Sequence, residues 1–294
     1  GMGHMWNNSH AILQKENGTS IYDFGACTVS QLLLGRDDNL VAGNANGYYR
    51  NDGRNPCLKD DNTYLDYTQN TLFADGPPHY DFIILSDRTT WPAMEETRYK
   101  SLKVLKKSYV PLLLESGGIP VLFATHGYDS NQVDVSEFGG ISNFTSDVFE
   151  GYRQYAQMLS ENLPAQQQPR IAPVGLAFLL VYEENYDMWQ KLFYADNYHP
   201  SPHGTYLMGC VLYATCYGYM PGNQALPNLP KDLWRRARKM QIGSKKHKMP
   251  FPTQEEAVYL YSVARKVIKY GERPKTWTRY YDETTESDFI VGTK

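Results

Sequence analysis

The sequence contains no apolar run approaching the ~18 residues that a membrane-spanning helix needs. Its best stretches, Pro120–Ala124 and Leu176–Tyr182, are soon interrupted by charge or polarity. Nor does it open on a basic stretch followed by an apolar one: Gly1–His10 reads GMGHMWNNSH, shows no secretory signal and leaves localisation unread. Cysteine is scarce, with four in 294 residues, and none of Cys27, Cys57, Cys210 or Cys216 has CxxC or Cys/His metal spacing. Cys210 and Cys216 stand six apart in what reads as a helix, too far round it for a bridge. Zinc is therefore not expected, and no metal or organic cofactor is implied. Internal repeats are absent, and a chain that is 41% hydrophobic and 21% charged is neither disordered nor collagenous. Its length supplies enough apolar material for a substantial core.

Net charge is also small, at −3, but unevenly spread. Residues 231 to 280 hold 14 Lys+Arg against 4 Asp+Glu, a balance of +10, which leaves −13 for everything else. The stretch KDLWRRARKMQIGSKKHK carries no nucleic-acid motif and lies among prolines, so it reads as a solvated basic helix and loop rather than a nucleic-acid site. No nucleic-acid partner is expected. Three Asn-x-Ser/Thr sequons, at Asn7, Asn17 and Asn143, together with 24 tyrosines, lean towards an extracellular, carbohydrate-facing protein.

What is present is an alternation of apolar runs and helical patterns. Ser20–Phe24, Asp81–Ser86, Pro120–Thr125 and Arg170–Gly175 read as buried parallel strands. Between the second and third, Glu95–Ser116 repeats Leu102, Val104, Leu105, Val110, Leu113 and Leu114 on one face, and Gly117-Gly118 stops it. Between the third and fourth, Thr145–Leu163 carries the stripe Phe149, Tyr152, Tyr155, Ala156 and Leu159. This order predicts a doubly wound α/β sheet. A third helical stretch is expected from about Gly204 to Tyr217, and a fourth over Thr253–Gly271, with Thr253 as N-cap, Glu256 in the capping-box position and Gly271 as its stop. One α/β domain over residues 1–271 is the economical organisation, with a loop insertion at about 43–78 and a basic, Pro-rich one at about 222–251. The last residues, 272–294, read as a surface arm.

In open α/β sheets ligands bind beyond the carboxyl ends of the strands, which singles out Gly25-Ala26-Cys27, Asp87-Arg88-Thr89, His126-Gly127, Leu176-Ala177 and the Asp196/His199 turn. The last carries the most chemistry. A His three residues after an Asp, in a turn closed by Pro200, lets the carboxylate orient the imidazole as the general base for a hydroxyl nucleophile. Equally, such an Asp can cap a helix beside a surface His. His126 and His203 fall near the same crevice, where a lone His is usually a hydrogen-bonded structural group.

The set as a whole resembles the SGNH (GDSL-like) hydrolases, over roughly Phe24 to Tyr270. FYADNYHPSPHGTYLMGCVLYATCYG is similar to that family's last block, and the resemblance makes Asp196 and His199 its catalytic pair. YDFIILSDRTTWPA resembles the block whose strand ends at an oxyanion-hole residue, and YDFGACTVSQLL the earlier one with a Gly. GGIPVLFATHGY, IAPVGLAF and PTQEEAVYLYSVARKVI resemble one branch of the family. The resemblance implies a three-layer α/β/α sandwich of about five parallel strands. It also implies a serine-type ester hydrolase, an acyl or acetyl esterase, with a small-molecule or glycan ester as substrate and a carbohydrate de-O-acetylase as the narrowest form.

Two departures accompany it. The family's nucleophilic Ser follows the first strand, and no such strand is visible before the first helix here. The Ser position falls near Gly3, and the nearest hydroxyl, Ser9, reads as a cap or sequon Ser only about 14 residues from Asp23. Since the first strand of this topology lies centrally, upstream residues are expected to supply it. A chain beginning at Gly1 is then expected to be poorly soluble or non-monomeric and inactive on small aryl esters. The second departure is in the oxyanion block, where Ser86, Asp87 and Arg88 replace the usual amide. An ionised Asp cannot donate, so the donors left are the Gly25 backbone, the Ser86 hydroxyl or Arg88. The alternative function is a non-catalytic binding protein of this fold that has lost its nucleophile.

Overall fold

Phe82–Leu85 (β1), Ile119–Phe123 (β2) and Arg170–Ala172 (β3) form a three-stranded parallel sheet in the order β1-β2-β3. The computed structural model that shows this describes residues 81–130, 133–218, 220, 250–269 and 274–276. Leu85 pairs with Leu122, and Phe123 with Ala172, all of them fully buried. The apolar runs of β1 and β2 suit strands covered on both faces, and each fully buried side chain contributes roughly 1.5–3 kcal/mol by leaving water. The expected strand Ser20–Phe24, the insertion at 43–78, residues 222–249 of the basic insertion and most of the arm lie outside the described residues.

Parallel neighbours require crossovers, and helices supply them. β1 leads through α1 (Thr90–Ala93), α2 (Glu95–Val104), a π-helical turn at Leu105–Tyr109 and α3 (Val110–Ser116) to β2. The spacing predicts one unbroken helix over Glu95–Ser116. Pro111, in the first turn of α3, has no N–H for the carbonyl four residues back, and the helix loosens into the π turn just before it. The added residue rotates the rest of the helix, so Leu113 is buried while Leu114, expected on the same face, is exposed. Gly117, at φ 71°, ends α3 in the left-handed region as a C-cap glycine should.

β2 passes through a 3₁₀ turn at Val135–Phe138 to α4 (Ile141–Asn162), and then a second at Ala165–Gln167 to β3. The stripe Phe149, Tyr152, Tyr155, Ala156 and Leu159 is buried along α4 as the spacing predicts, although the helix begins four residues before Thr145. Gln167 is buried and donates its amide to the carbonyls of Leu113 (2.6 Å) and Gly118 (3.1 Å), stitching the end of this crossover to that of the previous one.

β3 ends at Ala172, short of the expected Gly175. Pro173 caps α5 (Val174–Glu184), whose Leu176 and Ala177 are buried helix positions rather than a loop beyond a strand. VGLAFLLV is apolar throughout, so periodicity alone cannot separate strand from buried helix there. Then come α6 (Tyr186–Lys191), α7 (Pro202–Tyr217) and α8 (Gln254–Lys269). α7 packs on β2, β3, α5 and α8. Arg170 of β3 donates its guanidinium to the carbonyls of Thr215 (3.1 Å) and Cys216 (2.5 Å), satisfying two orphan groups in the last turn of α7. Among the described residues no helix is long and apolar enough to cross a membrane.

Candidate active site

The link from α6 to α7 is a tight loop built by its own backbone. Tyr194 N–H donates to His199 C=O (2.8 Å), Asn197 N–H to Tyr194 C=O (2.9 Å) and Ser201 N–H to Leu192 C=O (2.8 Å), while Phe193 and Pro200 form an antiparallel bridge. Asn197 turns the corner at φ 52°, a conformation that Asn tolerates better than most residues. Ser201 then caps α7: its Oγ accepts from the N–H groups of His203 (3.1 Å) and Gly204 (3.4 Å), and Pro202 occupies the first turn. Gly204 is needed for close approach, since a Cβ there would lie 2.2 Å from the Leu192 carbonyl oxygen.

Within this loop Asp196 has two tasks. Its Oδ1 accepts from the N–H groups of Tyr198 (3.0 Å) and His199 (2.9 Å), and its Oδ2 meets His199 Nδ1 at 2.5 Å. Burial raises the Asp196 carboxyl, but its bonds to His199 and Tyr198 outweigh that and hold it below the usual carboxylate range. The ionised carboxylate can only accept, so His199 Nδ1 carries the proton and Nε2 is left as the basic nitrogen. Burial lowers the imidazole pKa, opposed by Asp196, so the ring is neutral and able to accept a proton at neutral pH. The pair is partly accessible, with 25% of the His199 side chain and 44% of Asp196 exposed.

Residues beyond β2 close on this loop. Tyr128 lies with its ring centroid 4.6 Å from that of Tyr198, and the Tyr198 ring in turn lies 4.5 Å from that of His199. Beneath them His126 is stacked on Phe178 (4.2 Å, 12°) and edges against Phe193 (5.3 Å). Burial drives its pKa to about 3, so His126 is a neutral packing group at physiological pH.

At the end of β1, Ser86 is fully buried and its hydroxyl donates to the Asp87 carbonyl (3.3 Å). Asp87 is a hub that sequence reasoning missed. Its Oδ1 accepts from Arg88 N–H (2.7 Å), its Oδ2 from Ser101 (2.7 Å) and Tyr155 (2.8 Å), and its own N–H donates to the Tyr152 hydroxyl (2.8 Å). Burial pushes the carboxyl up to about 7, against the pull of those hydrogen bonds. The one signal in the sequence is a pair of tyrosines three apart on the buried stripe of α4, whose hydroxyls need partners. Gly25 and Ser9 lie outside the described residues, and no group of three or more His, Cys, Asp or Glu among the described residues could hold a metal ion.

His203, buried at the start of α7, is held by Glu256 of α8 (Nε2 to Oε2, 3.0 Å). Glu256 also accepts from Lys191 Nζ (2.8 Å) and Thr253 N–H (2.8 Å), while its own N–H donates to Thr253 Oγ1 (3.2 Å), completing the expected capping box. Burial raises its carboxyl, but Lys191, Thr253 and His203 together hold it down at about 2. A depressed pKa gives stability that is present above the unfolded value near 4.3 and lost as pH falls towards 2. Glu256→Ala is expected to cost roughly 2 kcal/mol in urea unfolding at pH 7, with the deficit narrowing between about pH 4 and pH 2.

No family model matches the sequence, and no curated protein matches it. Among solved structures the chain is similar to a protein from Slackia heliotrinireducens described as a candidate SGNH hydrolase. The identity is 23%, over 56% of this chain and 78% of that one, with a TM-score of 0.39. So loose a likeness fixes neither fold nor activity, and the architecture and the Asp196–His199 pair rest on this chain's own geometry.

Proposed function

We propose that the chain is a serine-type ester hydrolase of the SGNH kind. The observation that carries this reading is the Asp196–His199 pair, with Nδ1 tied to an ionised carboxylate and Nε2 left basic, in a loop that meets the residues beyond β2. On this reading the three strands are part of a sheet of about five in a three-layer α/β/α sandwich, with the strand at Ser20–Phe24 and a further one completing it. A Ser hydroxyl attacks the ester carbonyl carbon as His199 Nε2 takes its proton. The tetrahedral intermediate then expels the alcohol, to which the imidazolium returns the proton, and water repeats the sequence on the acyl-enzyme to release the acid. A backbone N–H at Gly25 is the favoured oxyanion donor, since the Ser86 hydroxyl is turned into the core. No metal or organic cofactor enters these steps. Acyl or acetyl esters, including O-acetylated carbohydrate, are the substrate class.

The test is covalent trapping. Incubated with a fluorophosphonate, the full natural protein is expected to gain one phosphonyl group on a Ser, which peptide mass spectrometry locates, and His199→Ala is expected to abolish the labelling. A protein that is folded and unlabelled would instead be the non-catalytic binding protein.

A further inference from the structure

Both ends of the loop that carries Asp196 and His199 are held by one carboxylate from a distant part of the chain. Lys191, the last residue of α6, precedes the loop, and His203, in the first turn of α7, follows it. Glu256, in the first turn of α8, accepts from both: Oε1 from Lys191 Nζ (2.8 Å) and Oε2 from His203 Nε2 (3.0 Å). Since the ionised carboxylate can only accept, His203 Nε2 carries the ring proton. The His203 ring is buried, which shields this bond from competing water. The carboxylate is itself held, because Thr253 N–H donates to Oε2 (2.8 Å). α8 packs on α5 and α7, with Leu260, Val263 and Ala264 fully buried. Between its ends the loop closes on itself, with Ser201 Oγ donating to Lys191 C=O and Ser201 N–H to Leu192 C=O (2.8 Å). Those bonds fix the loop's shape but not where it stands against the rest of the fold. Ring contacts from Tyr128 and His126 hold one side of it, and Glu256 ties down the two ends.

We infer that Glu256 is a positioning residue for the Asp196–His199 pair: by tying Lys191 to His203 it sets where the loop, and with it His199 Nε2, stands in the fold. The inference rests on the ester-hydrolase reading and deepens it. Proton transfer to Nε2 needs a donor within roughly 2.6–3.2 Å, and a displacement of about 1 Å can cost about 10²-fold in rate. This role differs from capping, in which Glu256 serves α8 alone through Thr253 and is indifferent to Lys191 and His203. The two roles use different partners, so substitutions separate them.

The experiment compares Glu256→Gln and His203→Phe with Thr253→Ala in the full natural protein. Glu256→Gln leaves one acceptor oxygen where two are used, and His203→Phe keeps a buried ring but removes the donor. Thr253→Ala removes the Oγ1 cap and keeps the N–H that holds Oε2. On an aryl acetate the first two are expected to lower kcat about tenfold with KM little changed, and Thr253→Ala to keep the parent's kcat while lowering the melting temperature. Amide hydrogen exchange gives a readout that needs no turnover. The peptide spanning 192–203 should exchange about tenfold faster in Glu256→Gln and His203→Phe, with β2 and α4 exchanging as in the parent. Parent-like exchange of that peptide in both variants overturns the inference, as does Thr253→Ala speeding it equally, or a kcat at the parent's level in both variants. If the parent shows no His199-dependent hydrolysis, the hydrolase reading fails and exchange alone decides whether Glu256 places the loop. Assay temperatures far below every variant's melting point exclude unfolding as the cause.

Discussion

His199→Ala is expected to lower kcat on an aryl acetate by about 10⁴-fold or more, with KM and thermal melting little changed. The magnitude comes from the step removed: without Nε2 the nucleophile must lose its proton to water, and the leaving alcohol has no acid poised beside it. Fold and substrate contacts survive, because the loop's turn is made by Asp196 Oδ1 and backbone bonds rather than by the imidazole. Asp196→Asn should be the more informative partner. An amide NH₂ in place of Oδ2 favours the opposite tautomer, with Nδ1 unprotonated and Nε2 no longer basic, so kcat should fall comparably. The His199 pKa, already lowered by burial, should fall further once the carboxylate that opposes burial is gone. The residual activity of Asp196→Asn should therefore have its acid limb at lower pH than the parent, as measured by kcat/KM against pH.

The parts of this molecule that can be read from its sequence are those settled within a few residues. Thr253 and Glu256 find each other across one helical turn, Asp196 and His199 across three positions, and Gly117 ends α3 where it stands. The runs at Asp81–Ser86 and Pro120–Thr125 are legible as parallel strands because their central positions are all apolar and helical stripes separate them. The rest depends on contacts distant in sequence. Asp87 draws its partners from 14, 65 and 68 residues away, and only the folded crossovers bring Ser101 and Tyr155 to its carboxyl group and Tyr152 to its backbone N–H. The same distance hides the role of His203, whose partner Glu256 is 53 residues on. The end of Arg170–Gly175 is illegible for a local reason, since Pro173 begins a helix whose continuous apolar run mimics a strand. Leu114 departs from its expected face because a single π turn shifts everything after it.

Asp87→Asn is expected to remove most of a pH dependence of stability that the parent shows between pH 5 and pH 8. The Asp87 carboxyl is pushed up to about 7 in the fold, mainly by burial, whereas an unfolded Asp titrates near 3.9. Between those values the folded state holds a proton that the unfolded state has released, so the folded state binds more protons and stability falls as pH rises. The contribution is complete below about pH 4 and is gone above about pH 7. Linkage puts the loss between pH 5 and pH 8 at roughly 2 to 3 kcal/mol, a large share of a typical domain's 5–15 kcal/mol. An amide at this position cannot titrate, yet it keeps an oxygen for the Arg88 N–H, and the Ser101 or Tyr155 hydroxyl can turn to accept from its NH₂. The variant should therefore fold, with urea unfolding free energies at pH 5 and pH 8 closer together than the parent's by most of that amount. A parent whose stability is flat over this range, or an Asn variant that keeps the full slope, would place the titrating group elsewhere.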